Sequence, residues 1–242
     1  MTYKPALIGV RLFTMVLLMG LMVWTDADSA TTRREDPSHT ITDSTATDAT
    51  ANSETEKTPI SLPPLTGKTI MLDPGHGGND AGAIRDSIQE KDINLAVALK
   101  LRDQLEAAGA NVIMTRDVDT TLALRCRVEM IGDRKPDIFV SIHTNASLSS
   151  SVDGIEAYYH SSDSKPLADS VYQSLVDGLS EKGNRMSRRE LAVVHHQLAP
   201  AVLIEIGYLS SKGKRDLLVK DDYQERIASA VTSGIEEYFD AV

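Results

Sequence analysis

The chain has 242 residues and carries 35 acidic against 25 basic side chains, a formal net charge of −10 at pH 7. That balance argues against nucleic acid as a partner and against broad electrostatic adhesion to an anionic cell wall, so binding there needs a specific site. The single cysteine, Cys126, excludes an internal disulfide, and its place in the helical pattern LALRCRVEMI reads as a small buried apolar residue.

At the N-terminus, Lys4 and Arg11 lead into Leu12–Trp24, a short apolar run without charge. This is the pattern of a secretory signal or of an uncleaved membrane anchor, so residues 1–24 are expected to carry the rest of the chain out of the cytoplasm, secreted or held at the cell envelope. Residues 25–60 are rich in Thr, Ser, Ala, Asp and Glu, and up to Thr58 Ile41 is the one large aliphatic residue. Such a stretch buries too little surface to offset the entropy of ordering, and it reads as a disordered acidic tether. Residues 61–242 are long enough for one real core and are expected to form a single domain.

Within that domain, Thr69–Leu72 predicts a strand that stops at Asp73-Pro74. Residues 90–108 place Ile93, Val97, Leu101 and Leu105 at helical spacing, with Gly109 closing the helix. ANVIMTR predicts a second strand, Thr120–Asp133 a helix, and Asp137–His143 a buried strand. Gly154–His160 alternates Ile155, Ala157 and Tyr159 against Glu156, Tyr158 and His160. Lys165–Ser180 is an amphipathic helix, Ala201–Leu209 a buried strand and Asp222–Phe239 a closing helix. Strands alternating with helices give an α/β fold: a central, mostly parallel or mixed sheet with helices on both faces. In such sheets ligands gather beyond the carboxyl ends of the strands.

Three chemically awkward residues fall near those ends. His76 sits between glycines in LDPGHGGNDAGA, His143 ends the DIFVSIH strand, and Glu205 interrupts the apolar run AVLIEIGYL. A carboxylate among Val, Leu and Ile must be neutralised, paired or bound to metal; a structural salt bridge is the plainer reading. Glu90 opens a helix, where an acid is favoured by the macrodipole alone. Two histidines and a glutamate nonetheless make a hydrolytic zinc set with room for a water, and another carboxylate can take that water's proton. His76, Glu90 and His143 would then be the ligands and Glu205 the base. The spacing is no local motif, so other pairings of the six histidines with the many acids stay open on this ground. Asp73 and Asn145 flank two of these residues and could orient them by hydrogen bonds; turn formation at strand ends is the other reading of both. His160, His195 and His196 read as surface or cleft-rim residues, and His39 lies in the tether.

Five blocks carry a resemblance: LDPGHGGNDAGA, EKDINLAVALKLRDQLEAAGANVIMTRDVD, DIFVSIHTNA, GIEAYY and PAVLIEIGYLS. In this order they resemble the zinc-dependent N-acetylmuramoyl-L-alanine amidases of the amidase 3 family. The resemblance implies a sheet between helices, Zn²⁺ held by His76, Glu90 and His143, and Glu205 as the catalytic glutamate. It implies hydrolysis of the amide between N-acetylmuramic acid and the L-alanine of the stem peptide in peptidoglycan. An anchor, a tether and a bare catalytic domain are similar to the sporulation and germination amidases that tailor spore cortex. Two departures bear on substrate positioning: AVVHHQLAP lacks an arginine that the family often has there, and Ser210-Ser211 replaces a frequent Ser-Asn. The loop between His143 and Gly154 is too short for the helix with which some members block their zinc, so self-inhibition by that device is not expected. The other readings are a different zinc peptidoglycan hydrolase, a peptidase or deacetylase, and a binding protein without turnover on the same fold.

Overall fold

In the computed structural model, residues 62–242 other than 196–197 are described. The expected N-terminal signal or anchor, the tether, His39 and His196 lie outside the described residues. Chain order is β1 (Thr69–Pro74), β2 (Ile84–Arg85), β3 (Ile88–Gln89), α1 (Glu90–Ala107), β4 (Asn111–Met114), α2 (Leu124–Arg134), β5 (Ile138–Asn145), β6 (Ile155–Tyr159), α3 (Lys165–Leu179), β7 (Gly183–Arg188), β8 (Ala201–Tyr208), α4 (Lys212–Leu218) and α5 (Asp221–Ala241). Six strands make one sheet in the order β4-β1-β5-β8-β6-β7, and β2 with β3 form a separate hairpin. The β6–β8 pair is antiparallel and the rest of the large sheet is parallel.

Side chains alternate across each strand, and here the alternation divides structure from chemistry. Ile70, Leu72, Ile138, Val140, Ile142, Ile155, Ala157, Val202, Ile204 and Ile206 join the large core beneath α1, α3 and α5. Full burial of one such side chain contributes about 1.5–3 kcal/mol. The opposite face starts apolar, with Met71, Phe139, Ala201 and Leu203 packed on Ile131 of α2 and on Val193 and Val194. Two residues further along each strand the same face turns polar: Asp73, Ser141 then His143, and Glu205.

The structure corrects several boundaries. β1 runs through Asp73 and Pro74 rather than stopping at Leu72. α2 begins at Leu124, not Thr120, because Thr121 Oγ1 accepts the N–H of Asn79 at 2.9 Å and keeps this stretch outside the helix. Cys126 is half-buried rather than buried. β7 and α4 have no counterpart in the sequence reading. No helix among the described residues is long and apolar enough to cross a membrane. Residues 146–154 form turns without a helix.

The β2–β3 hairpin positions a candidate ligand, since it feeds directly into Glu90, the first residue of α1. Asp86 and Ser87 at its tip take φ of 48° and 67°, as tight two-residue hairpin turns require. Arg215 of α4 ion-pairs with Asp86 and donates to the carbonyl of Leu209. The hairpin is thereby tied to the end of β8, and with it the position of Glu90.

Candidate metal centre

Beyond β1 the chain turns sharply through Gly75-His76-Gly77-Gly78, and His76 itself has φ 61°. Packing, more than flexibility, demands two of these glycines. A Cβ on Gly78 would lie 2.2 Å from Thr121 Oγ1, and one on Gly75 would lie 2.2 Å from the His143 ring. Buried cations lock the turn. Arg116 donates to the carbonyls of Pro74 and Gly75, both at 2.9 Å. Lys91 donates to the carbonyl of Gly78 at 2.9 Å and to Asp119 at 2.7 Å. Asp119 in turn accepts the Gly78 N–H at 2.7 Å.

The turn aims His76 at α1. Its Nδ1 lies 2.8 Å from Asp80 Oδ2 and its Nε2 3.2 Å from Glu90 Oε1. His143, at the end of β5, brings Nδ1 to 3.0 Å from the same Oε1. One donor atom from each of His76, Glu90 and His143 falls within 4.8 Å of the others. Glu90 is anchored from behind: Oε2 accepts the Ala83 N–H at 2.9 Å, and Oε1 accepts the Thr144 N–H at 3.1 Å and the Asn94 amide at 3.3 Å. Burial pushes the Glu90 carboxyl up, but the bonds from His143 and His76 outweigh it and hold the group well below the usual carboxylate range. The bond to Glu90 raises His76 from 6.5 to about 9 against the pull of desolvation, with Asp80 adding to the rise. Two imidazoles and one carboxylate, converging and oriented by outer hydrogen bonds, are a donor set suited to zinc.

Glu205 stands in register with His143 across the parallel β5–β8 pair and with Glu156 across the antiparallel β6–β8 pair. Its Oε2 is buried and has no hydrogen-bond partner. Burial first, then the charges of Glu90 and Glu156, push its pKa well above the ordinary carboxylate value. An orphaned buried oxygen beside three converging donor side chains is not what a structural salt bridge leaves, and it marks Glu205 as a candidate for proton transfer.

Asp73 and Asn145 touch none of the three clustered residues through the hydrogen bonds of their side chains. Asp73 accepts Thr115 Oγ1 at 2.7 Å and Ser141 Oγ at 2.8 Å and ion-pairs with Arg127. Arg127 then donates to the carbonyls of Pro74 at 2.9 Å and His76 at 2.6 Å. Asn145 donates to Glu156 Oε2 at 3.1 Å. His160 and His195 meet edge to face, ring centroids 4.0 Å apart, outside the cluster.

The sequence reading passed over Glu156, which is buried and accepts from Tyr208 at 2.7 Å, Asn184 at 2.7 Å, Asn145 and Tyr158. It also passed over Asp80, Asn94 and Thr144. The spacing His76-x-x-x-Asp80 within the glycine-rich block was the available signal for Asp80; the alternation of GIEAYY hid Glu156 by assigning it to solvent.

A family profile described as N-acetylmuramoyl-L-alanine amidase matches residues 70–237. The chain belongs to that family. It is 37% identical over 198 residues to the germination-specific N-acetylmuramoyl-L-alanine amidase of Bacillus subtilis strain 168, covering 75% of this chain and 83% of the relative. The solved catalytic domain of the amidase CwlV from Bacillus (Paenibacillus) polymyxa var. colistinus is 36% identical, with a TM-score of 0.69 over 72% of this chain and 99% of that one. The CwlD amidase from Clostridioides difficile, solved in complex with the GerS lipoprotein, is 36% identical with a TM-score of 0.70, over 72% and 100%. The amidase acts on peptidoglycan at the bond between N-acetylmuramic acid and L-alanine, and so outside the cytoplasmic membrane. The readings as a peptidase, a deacetylase or a binding protein are set aside.

Proposed function

We propose that His76, Glu90 and His143 hold one zinc ion and that Glu205 carries the proton during hydrolysis. The supporting observation is the convergence of three donors within 4.8 Å, with the unpartnered Oε2 of Glu205 on the strand in lateral register beside them. Zinc, when bound, supplies a Lewis acid that polarises the scissile carbonyl and acidifies water. Asp80 and Glu90's backbone donors keep the ligands in place, so little reorganisation is needed. Glu205 accepts the attacking water's proton at its free oxygen and returns it to the leaving alanine nitrogen. Its raised pKa makes it a better proton acceptor than an ordinary carboxylate.

The test is zinc content of the full chain purified without chelator, with products of peptidoglycan digestion identified by mass. About one zinc per chain and intact stem peptides with a free L-alanine amino group are expected. Cleavage that survives complete removal of metal would overturn the assignment.

Gly75→Ala is expected to push His143 out of the cluster, since its Cβ would overlap the ring. Zinc should be lost while far-ultraviolet circular dichroism stays that of the folded domain; zinc retained at full stoichiometry would mean that the ring can yield and still bind.

Acidity supplies a further check. In the metal-free amidase His76 keeps its proton up to about 9 instead of 6.5. Its stabilising contribution is therefore complete below about 6.5 and is lost as pH rises through about 9. Zinc needs unprotonated ligands, so the Tm difference between zinc-loaded and chelator-stripped protein should widen across that interval. A difference that narrows would count against His76 as a ligand.

Residues 1–24 are assigned to export or anchoring and 25–60 to a tether that lets the domain reach the wall. The germination-specific relative supports spore cortex as the substrate, and the relative solved with a lipoprotein supports a protein partner for this chain.

A further inference from the structure

The sheet edge nearest Glu156 carries charge that the metal centre does not use. β7 lies parallel to β6, with Glu156 beside Arg185, Ala157 beside Met186 and Tyr158 beside Ser187. Met186 packs against the large core, so alternation turns Arg185, Ser187 and Arg189 to the other face, that of His143, Glu205 and Glu156. The contacts agree. The Arg189 guanidinium carbon lies 5.7 Å from the centre of the Tyr158 ring, and Tyr158 donates to Glu156. The Arg189 backbone N–H bonds the Tyr159 carbonyl at 2.8 Å, which extends the register past the end of β7. Both arginines are exposed, and among the described residues neither has a carboxylate partner. Between them, the buried Oγ of Ser187 has no hydrogen-bond partner.

The part of this face beside the histidines differs in kind. Beside His76 and His143 lies a cleft of about 300 Å³ whose walls include Leu122, Leu124, Leu191 and Val193. Leu122 and Leu124 close the cleft from the α2 side, Leu191 and Val193 enter it just after Arg189, and Asp80 and Arg127 also line it; the β7 edge is cationic on a molecule whose net charge is −10.

We propose that Arg185 and Arg189, flanking Ser187, hold a carboxylate of the stem peptide and so set the direction in which the substrate lies. The peptide runs toward β7 and the sugar, with the methyls of its acetyl and lactyl groups, lies toward Leu122 and Leu124. The proposal rests on the reading of this centre as the site of amide hydrolysis. Of the two halves of the scissile amide, the peptide is the one that ends in a free carboxylate, and a guanidinium fork matches a carboxylate in charge and shape. These are positioning residues: they act on where the substrate sits, not on the proton.

The test uses the full zinc-loaded chain and two substrates, a disaccharide peptide released from peptidoglycan and the same compound with its carboxylates converted to primary amides. For the natural chain, amidation is expected to raise KM about ten- to hundredfold with kcat nearly constant, the range of one or two lost charge-assisted bonds. In the Arg185→Gln/Arg189→Gln double variant that preference should collapse to about one, and in Arg185→Lys/Arg189→Lys it should return in part. Equal KM for both substrates in the natural chain, or an undiminished preference in the double variant, would overturn the proposal and leave the hydrolytic site standing. A double variant slowed in kcat with its preference intact would also overturn it, by assigning the arginines to structure. If the natural chain holds zinc and cleaves neither compound, the reading of the site itself fails.

Discussion

Glu205→Ala is expected to lower kcat by about 10²–10⁴-fold, the range for removing a positioned proton carrier, while zinc content stays at that of the parent. The two readouts separate the roles. His143, Glu90 and His76 converge without Glu205, which stands in the neighbouring register position with a buried and unpartnered oxygen. Taking its carboxyl away removes a costly buried group, so the fold should not weaken and a small gain in Tm is expected. Glu205→Gln should be as inactive, because it keeps the shape and loses the basic oxygen. Loss of zinc in either variant would make Glu205 a ligand or a support of one, and retained turnover would end its assignment as proton carrier.

Asp73→Ala should be the most damaging of the polar substitutions to stability, at about 3–5 kcal/mol. The side chain is fully buried and so, nearly, is Arg127, at 4% exposure. Removing the carboxylate strands that guanidinium in the interior and also orphans the hydroxyls of Thr115 and Ser141. The damage should spread to the centre, since Arg127 holds the carbonyl of His76. Denaturant unfolding monitored by circular dichroism gives the first number, and zinc affinity of the folded fraction gives the second. A stability loss under about 1 kcal/mol would mean that Arg127 finds water, as surface pairs do.

What the sequence disclosed depends on where its information lies. α1, α3 and α5 each bury one stripe and β1, β5 and β8 are apolar over most of their length, so periodicity exposes them. β7 is an edge strand reading GNRMSR and buries little; no alternation of apolar residues marks it. α4 is short and turns Lys214 and Arg215 inward, which a hydropathy pattern takes for surface. His76, His143 and Glu205 drew attention because each is chemically out of place at a strand end. Glu90 has the plainer reading of an acid at a helix start, and chemistry alone left its pairing with the histidines open, because their convergence depends on the hairpin that carries it. Glu156 escaped because the polar half of an alternating strand reads as solvated, whereas Tyr208, Asn184 and Asn145 fold over it. For Asp73 a strand-end position allows either a turn or a bond to a ligand; it anchors Arg127, one step further from the histidines.

The four central residues arrive on β1, α1, β5 and β8, and the strands among them are joined by parallel pairing between distant parts of the chain. Contacts of that kind close late and slowly in folding. Unlike the few adjacent ligands of a zinc finger, which let the ion organise the chain, the proposed ligands His76, Glu90 and His143 come from separate elements and meet only once the sheet has formed. Loading with zinc should therefore come after folding rather than guide it. After dilution from denaturant, the refolding rate should be the same with and without zinc, and uptake of the ion should lag behind the return of native circular dichroism.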